Sequence, residues 1–133
     1  MSAKTRAVDR SAWKGHMAKS DEHLEAMEAC SSKGLWNACV VNAIHCAICA
    51  ADAITVFYLG FRNAGERHSD VVGLLRETGI DSKELALKIT QLTALLSIKN
   101  TAEYEERLMD EAEARNAMKA CERFHSWAKS KVG

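Results

Sequence analysis

The sequence predicts an all-α fold, an up-and-down bundle of four to five helices. Three observations carry this. Among 133 residues there is no proline, and Ala, Leu, Glu and Lys, the strong helix formers, are abundant. From Leu35 to Leu59 the only formal charge is Asp52, and no glycine interrupts the run. Its apolar residues run nearly all the way round a helix, which marks a central helix buried by neighbours. Two later segments open with Asp and Glu three residues apart, a helix-capping pattern, and no stretch reads as a strand.

In chain order, residues 1–10 read as a flexible N-terminal arm, and residues 11–133 as a single domain long enough to bury its own core. A first helix runs from about Ser11 to Ser32, with Trp13, Met17, Leu24, Met27 and Cys30 as its apolar stripe. Gly34 stops it, and the short link forces an antiparallel hairpin with the central helix. The central helix would be roughly 37 Å long at ~1.5 Å per residue. Ala43, Ala47, Ala50 and Ala51 crowd one of its faces, where small side chains let another helix approach closely. Gly60 ends it, and residues 61–68 (FRNAGERH) form a turn.

Ser69 reads as the N-cap of a short helix over Asp70–Glu77, closed by Gly79. Asp81 and Glu84 open a fourth helix, with Leu85, Ile89, Leu92 and Leu96 on one face. Asp110 and Glu113 open the last, striped by Ala114, Ala117, Met118, Cys121, Phe124 and Ala128. Residues 100–109 are polar, either a loop or a continuation of the fourth helix. The charge run Glu103–Glu113 reads as a solvated face. Trp13, Trp36 and Trp127 read as packing or interface residues, the first and last placed to favour a dimer contact.

The balance of 18 Lys and Arg against 18 Asp and Glu excludes the global basic field of a dedicated DNA binder. No apolar signal region follows the basic N-terminus, and the five cysteines are an odd count. Both suit a cytoplasmic protein with free thiols. Asn37, Asn42, His45 and Asp52 make the central helix too polar for a comfortable membrane span. Cys46 and Cys49 have metal-like spacing beside His45, but zinc needs four ligands and no second Cys-x-x-Cys or matching His pair exists. Packed thiols are therefore expected, with no metal and no cofactor.

On the central helix Asn42, His45, Cys49 and Asp52 follow one another at i, +3, +7 and +10, a polar line in an apolar cylinder. Buried polar groups need partners. One reading is a satisfied core network. The other is a polar pocket in which His45 and Asp52 join Lys99 and Tyr104 around a nucleotide or another anion. His68, just before a helix start, is placed to meet anions there or to act only as a surface or capping residue.

Three blocks occur in order: HLEAMEACSSKGLWNACVVNAIHCAICAADAI, then GERHSDVVGLL, then LLSIKNTAEYEERLMDEAEARNAMKACERFHSWAKSKV. Together they resemble the HEPN domain, the higher-eukaryote and prokaryote nucleotide-binding helical domain, in its small stand-alone prokaryotic form. The resemblance covers about residues 20–131, with His68 and Val71–Val72 at a motif position of the family. It implies a four- to five-helix bundle that commonly forms a homodimer. Some members are metal-independent RNases, often toxins paired with a minimal nucleotidyltransferase antitoxin, and others are catalytically silent binding modules.

The family's RNase motif is Arg, a polar residue, three positions, His, one position, Tyr. The resemblance places Lys99, Asn100 and Tyr104 in that slot, with Lys for Arg and Tyr for the catalytic His. Lysine lacks the bidentate guanidinium fork, and a tyrosine, titrating near pH ~10, is a poor proton shuttle at neutral pH. Arg62, Asn63 and His68 fit a similar spacing in the turn after the central helix, outside the family slot. The expected protein is thus a non-catalytic homodimer. It would bind a nucleotide, a small polar ligand or a nucleotidyltransferase-type partner through His45, Asp52, His68, Lys99, Asn100 and Tyr104. The alternative is a metal-independent RNase using Arg62 and His68, or Lys99 and Tyr104. A four-helix-bundle metal protein is disfavoured, for no Glu-x-x-His pair sits on facing core helices.

Overall fold

The computed structural model describes residues 4–65 and 67–133. Its elements are β1 (Thr5–Ala7), a 3-10 turn (Arg10–Ala12), α1 (Trp13–Ser32), α2 (Trp36–Leu59) and β2 (Phe61–Asn63). A second 3-10 turn (His68–Asp70), α3 (Val71–Arg76), α4 (Ser82–Ser97), α5 (Lys99–Tyr104) and α6 (Glu111–Lys131) complete it. The architecture is all-α, with one small antiparallel strand pair.

α2 is the axis of the core. Cys39, Val40, Ala43, Ile44, Cys46, Ala47, Ala50, Ala51, Ala53, Ile54 and Val56 on it are all fully buried. α1 returns antiparallel along one side, α6 covers another, and α4 packs on α6. Alanines at these positions allow the close approach, and Phe124 and Leu92 from the covering helices are wholly enclosed. α2 is long and apolar enough to cross a membrane by length and composition, and burial inside this bundle accounts for that character. It ends at Gly60, whose φ of 73° is the left-handed turn that glycine adopts without strain.

The ends of the helices are tied by side chains. Asp110 and Glu113 make the full reciprocal capping box of α6. At α4 only half of that pattern forms: Asp81 accepts from the Glu84 amide. The Glu84 carboxylate turns instead to Trp127 Nε1 at 2.8 Å and Lys131 at 2.7 Å. Tyr58 donates its hydroxyl to the Lys131 carbonyl at 2.9 Å, fastening the end of α6 to the end of α2. On the opposite side, His125 and Lys129 of α6 both meet Asp21 of α1, His125 at 2.7 Å.

Several expectations are corrected. The arm over residues 1–10 is not loose along its length: Thr5–Ala7 pairs with Phe61–Asn63, with Arg6 opposite Arg62. The Val8 amide bonds the Gly60 carbonyl, and the Ala64 amide the Lys4 carbonyl, so the backbone of each segment satisfies the other. Residues 1–3 of the arm lie outside the described residues. Ser69 is not an N-cap, because a 3-10 turn over His68–Asp70 runs directly into α3. Residues 100–109 are neither plain loop nor a continuation of α4: the chain breaks at Ile98 and starts α5. Trp127 is buried and Trp13 packs edge-on against Phe57 at 5.7 Å, so neither is an exposed dimer aromatic. Trp36 lies under the Arg115 guanidinium at 5.5 Å.

One side chain holds α5 to the axis. Asn37, in the first turn of α2, donates Nδ2 to the Ala102 carbonyl at 2.9 Å and accepts from the Met109 amide at 3.0 Å. Asn37→Leu leaves a half-buried carbonyl and amide without partners, which costs about 1–3 kcal/mol for each group. The expected result is a lower melting temperature with amide exchange accelerated first over residues 99–109, read by hydrogen exchange.

Candidate functional site around His68

His68 opens the second 3-10 turn and borders two cavities. The first, of about 180 Å³, is lined among others by Arg6, Asp52, Arg62, Asn63 and His68. The second, a groove of about 270 Å³, is lined among others by Arg67, His68, Leu96, Lys99, Asn100 and Tyr104. The Arg62–His68 turn and the Lys99–Tyr104 segment, far apart in sequence, thus meet at one histidine. Burial first, then the positive charges of Lys99 and His45, push His68 below the ordinary ~6.5 of histidine, with Glu103 opposing them. At neutral pH its ring is the uncharged form, able both to donate and to accept.

Lys99 and Glu103 are one helical turn apart on α5, and their ion pair is joined by His45 from α2, whose Nε2 lies 2.5 Å from Glu103. A carboxylate only accepts, so His45 Nε2 carries the donated hydrogen. Burial works against the charge of Glu103, but hydrogen bonds from Lys99 and His45 outweigh it and hold its carboxyl below the usual range. The hydrogen bond to Glu103 likewise raises Lys99, which stays a cation at any physiological pH. Its ammonium also sits 5.3 Å from the centre of the Tyr104 ring. Tyr104 itself is 74% exposed. Asn100 bonds Glu105 at 3.0 Å, at the outer edge of the groove.

Of the expected pocket, the structure brings together His45, Lys99 and Tyr104, with Asn100 and His68 beside them. Asp52 does not join them. Seven positions beyond His45 on a helix it lies ~10.5 Å further along, past the reach of the short α5, and lines the Arg62 cavity instead. There burial pushes its carboxyl up to about 7, with Arg62 pulling the other way. The rest of the polar line is local. Asn42 bonds His23 Nδ1 at 3.1 Å, and the His23 and His45 rings lie 5.6 Å apart.

Glu103 is the participant missed in the sequence. It reads as part of a solvated charge run, yet its side chain is only 13% exposed. The Lys99–Glu103 spacing of four was the available signal, since such pairs face each other on a helix. The Cys46–Cys49 pair is divided: Cys46 is buried against Ser20, and burial pushes the Cys49 thiol up to about 11. Among the described residues no group of three His, Cys, Asp or Glu side chains is placed to hold a metal ion.

An all-helical bundle with a histidine-centred polar cleft is the class of protein that fold and cleft define. The HEPN domain profile matches residues 13–131, nearly the whole chain, and the chain belongs to the HEPN domain family. Comparison with curated proteins and with solved structures found no match to this chain.

Proposed function

We propose that this HEPN-domain protein binds a nucleotide or the end of a single-stranded RNA in the cleft around His68, without RNase chemistry of its own. We further infer that it works as a cytoplasmic homodimer, serving a partner of the minimal nucleotidyltransferase kind found in toxin–antitoxin pairs. The observation that carries the binding reading is the shared position of His68 between Arg62 on one side and Lys99 on the other. Both cations attract phosphate, and exposed Tyr104 offers a face on which a base can stack.

The slot where RNase members keep their histidine holds Tyr104, whose ring lies beside a permanently charged Lys99 already engaged by Glu103. Neither group is suited to shuttle a proton at neutral pH. Exposed Leu35 and Leu108 flank a groove of about 680 Å³ beside Trp36 and Ala102, an apolar surface that supports the homodimer reading.

A second reading has its own support. Neutral His68 between two cations is a competent general base for a ribose 2′-hydroxyl, as a metal-independent RNase would need. The deciding experiment is RNA cleavage by purified protein in EDTA, with Lys99→Ala, Tyr104→Ala and His68→Ala beside the wild type. The expected result is no cleavage above a mock preparation, with binding of a fluorescent single-stranded RNA retained and a dimer in sedimentation. Cleavage that disappears in His68→Ala would overturn the binding-only reading in favour of the nuclease.

A further inference from the structure

The β1–β2 register sets Arg6 directly opposite Arg62. Opposed residues of an antiparallel pair send their side chains to the same face, with Cβ atoms roughly 4.5–5.5 Å apart, and like charges there repel. Both side chains line the 180 Å³ cavity, with Asp52 and His68 also at its wall. Among the described residues, none of the ion pairs within 4.0 Å includes Arg6, Arg62 or Asp52. Among the described residues, Asp52 is the one carboxyl lining the cavity, and Arg62 acts on it without a close ion pair. Two guanidinium groups facing a single carboxyl leave an excess of positive charge that an anion can relieve.

We infer that this cavity is a subsite for a single phosphoryl group, held between the guanidinium groups of Arg6 and Arg62 with His68 at its edge. The planar fork of arginine matches phosphate oxygens two at a time, which lysine cannot do. Size selects a group rather than a whole ligand. The cavity far exceeds the ~10–15 Å³ that one water requires and falls short of the ~300 Å³ where small-molecule pockets begin. The turn that closes it is braced from within: Asn63 accepts from the Gly65 amide at 3.2 Å and donates to the Arg67 carbonyl at 2.9 Å. Asp52 supports the assignment, because a carboxyl raised to about 7 takes up a proton readily and then donates to a phosphate oxygen.

The subsite deepens the binding reading and rests on it in one respect: His68 also borders the Lys99 groove, so the phosphoryl group is the terminal phosphate of a nucleotide or RNA lying there. Three probes separate the possibilities: inorganic phosphate, and one short single-stranded RNA with either a 5′-phosphate or a 5′-hydroxyl. Phosphate is expected to shift the Arg6 and Arg62 side-chain Nε–H resonances of the wild type. The phosphorylated RNA is expected to bind at least tenfold tighter than its hydroxyl form, and Arg6→Gln and Arg62→Gln each abolish that difference. Arg6 is exposed on a three-residue strand, so its variant should keep the wild-type circular dichroism and melting.

Equal affinity for the two RNAs, with no response of the arginines to phosphate, would overturn the subsite while leaving the groove reading intact. Phosphate binding at the arginines with neither RNA bound would keep the subsite as a free-anion site and overturn the groove reading.

Discussion

Asp52→Asn is expected to stabilise the protein at pH 8 and to leave its stability unchanged near pH 3.5. The sign follows from the direction of the shift. The folded carboxyl titrates at about 7, above the ~3.8 of an unfolded aspartate, so between those values the folded chain holds more protons than the unfolded one. Rising pH therefore lowers stability across that window, and the loss is complete above it. At about 1.4 kcal/mol per tenfold, the burden is up to ~4 kcal/mol at pH 8, with burial as its main cause and Arg62 as a partial offset. Asparagine keeps the shape without the charge. Chemical denaturation of both proteins across pH 3.5–8 measures the difference. A wild type more stable than Asp52→Asn at pH 8 would mean that the carboxylate is paired in the fold.

His68→Ala is expected to weaken binding of a 5′-phosphorylated RNA by about tenfold to a hundredfold, the effect of losing one hydrogen bond of ~1.5–3 kcal/mol to a charged group. Its fold should persist, since His68 is half-buried in a turn and belongs to neither the α2 core nor its covering helices. Affinity in the wild type should rise as pH falls through the lowered titration of His68, because the imidazolium gains a direct attraction to phosphate. In His68→Ala the rise below pH ~6.5 should be lost, leaving only the component near pH 7 that comes from protonation of Asp52. Fluorescence anisotropy from pH 5 to 8 reads both effects.

The bundle was legible because its signals are local and redundant. α2 carries an apolar circumference over more than six turns, and the Asp110–Glu113 box marks the start of α6 to the residue. The strand pair was not legible. Three residues, Thr5–Ala7, are too few to show alternation, and their partner Phe61–Asn63 has the composition of a turn. The cleft was half legible. His45 meets Lys99 through Glu103, and Lys99 lies beside Tyr104, while Asp52, read in one alternative as part of the same pocket, is carried off by the rise of the helix. Glu103 was hidden because its exposed-looking charge run conceals one residue turned inward to a histidine 58 positions away. The convergence of the Arg62–His68 turn on the Lys99 groove depends on how α3 and α5 fold back over α2, which no local pattern records.

The most direct test of the His68 cleft is the titration of the His68 ring itself, followed by NMR with no ligand, with adenosine and with adenosine monophosphate. The ring should titrate below ~6.5 in the free protein, stay there with adenosine, and move upward with the monophosphate as the bound anion favours its charged form. A His68 that titrates identically in all three samples, at concentrations where the nucleotide binds, would place the ligand elsewhere and contradict the account.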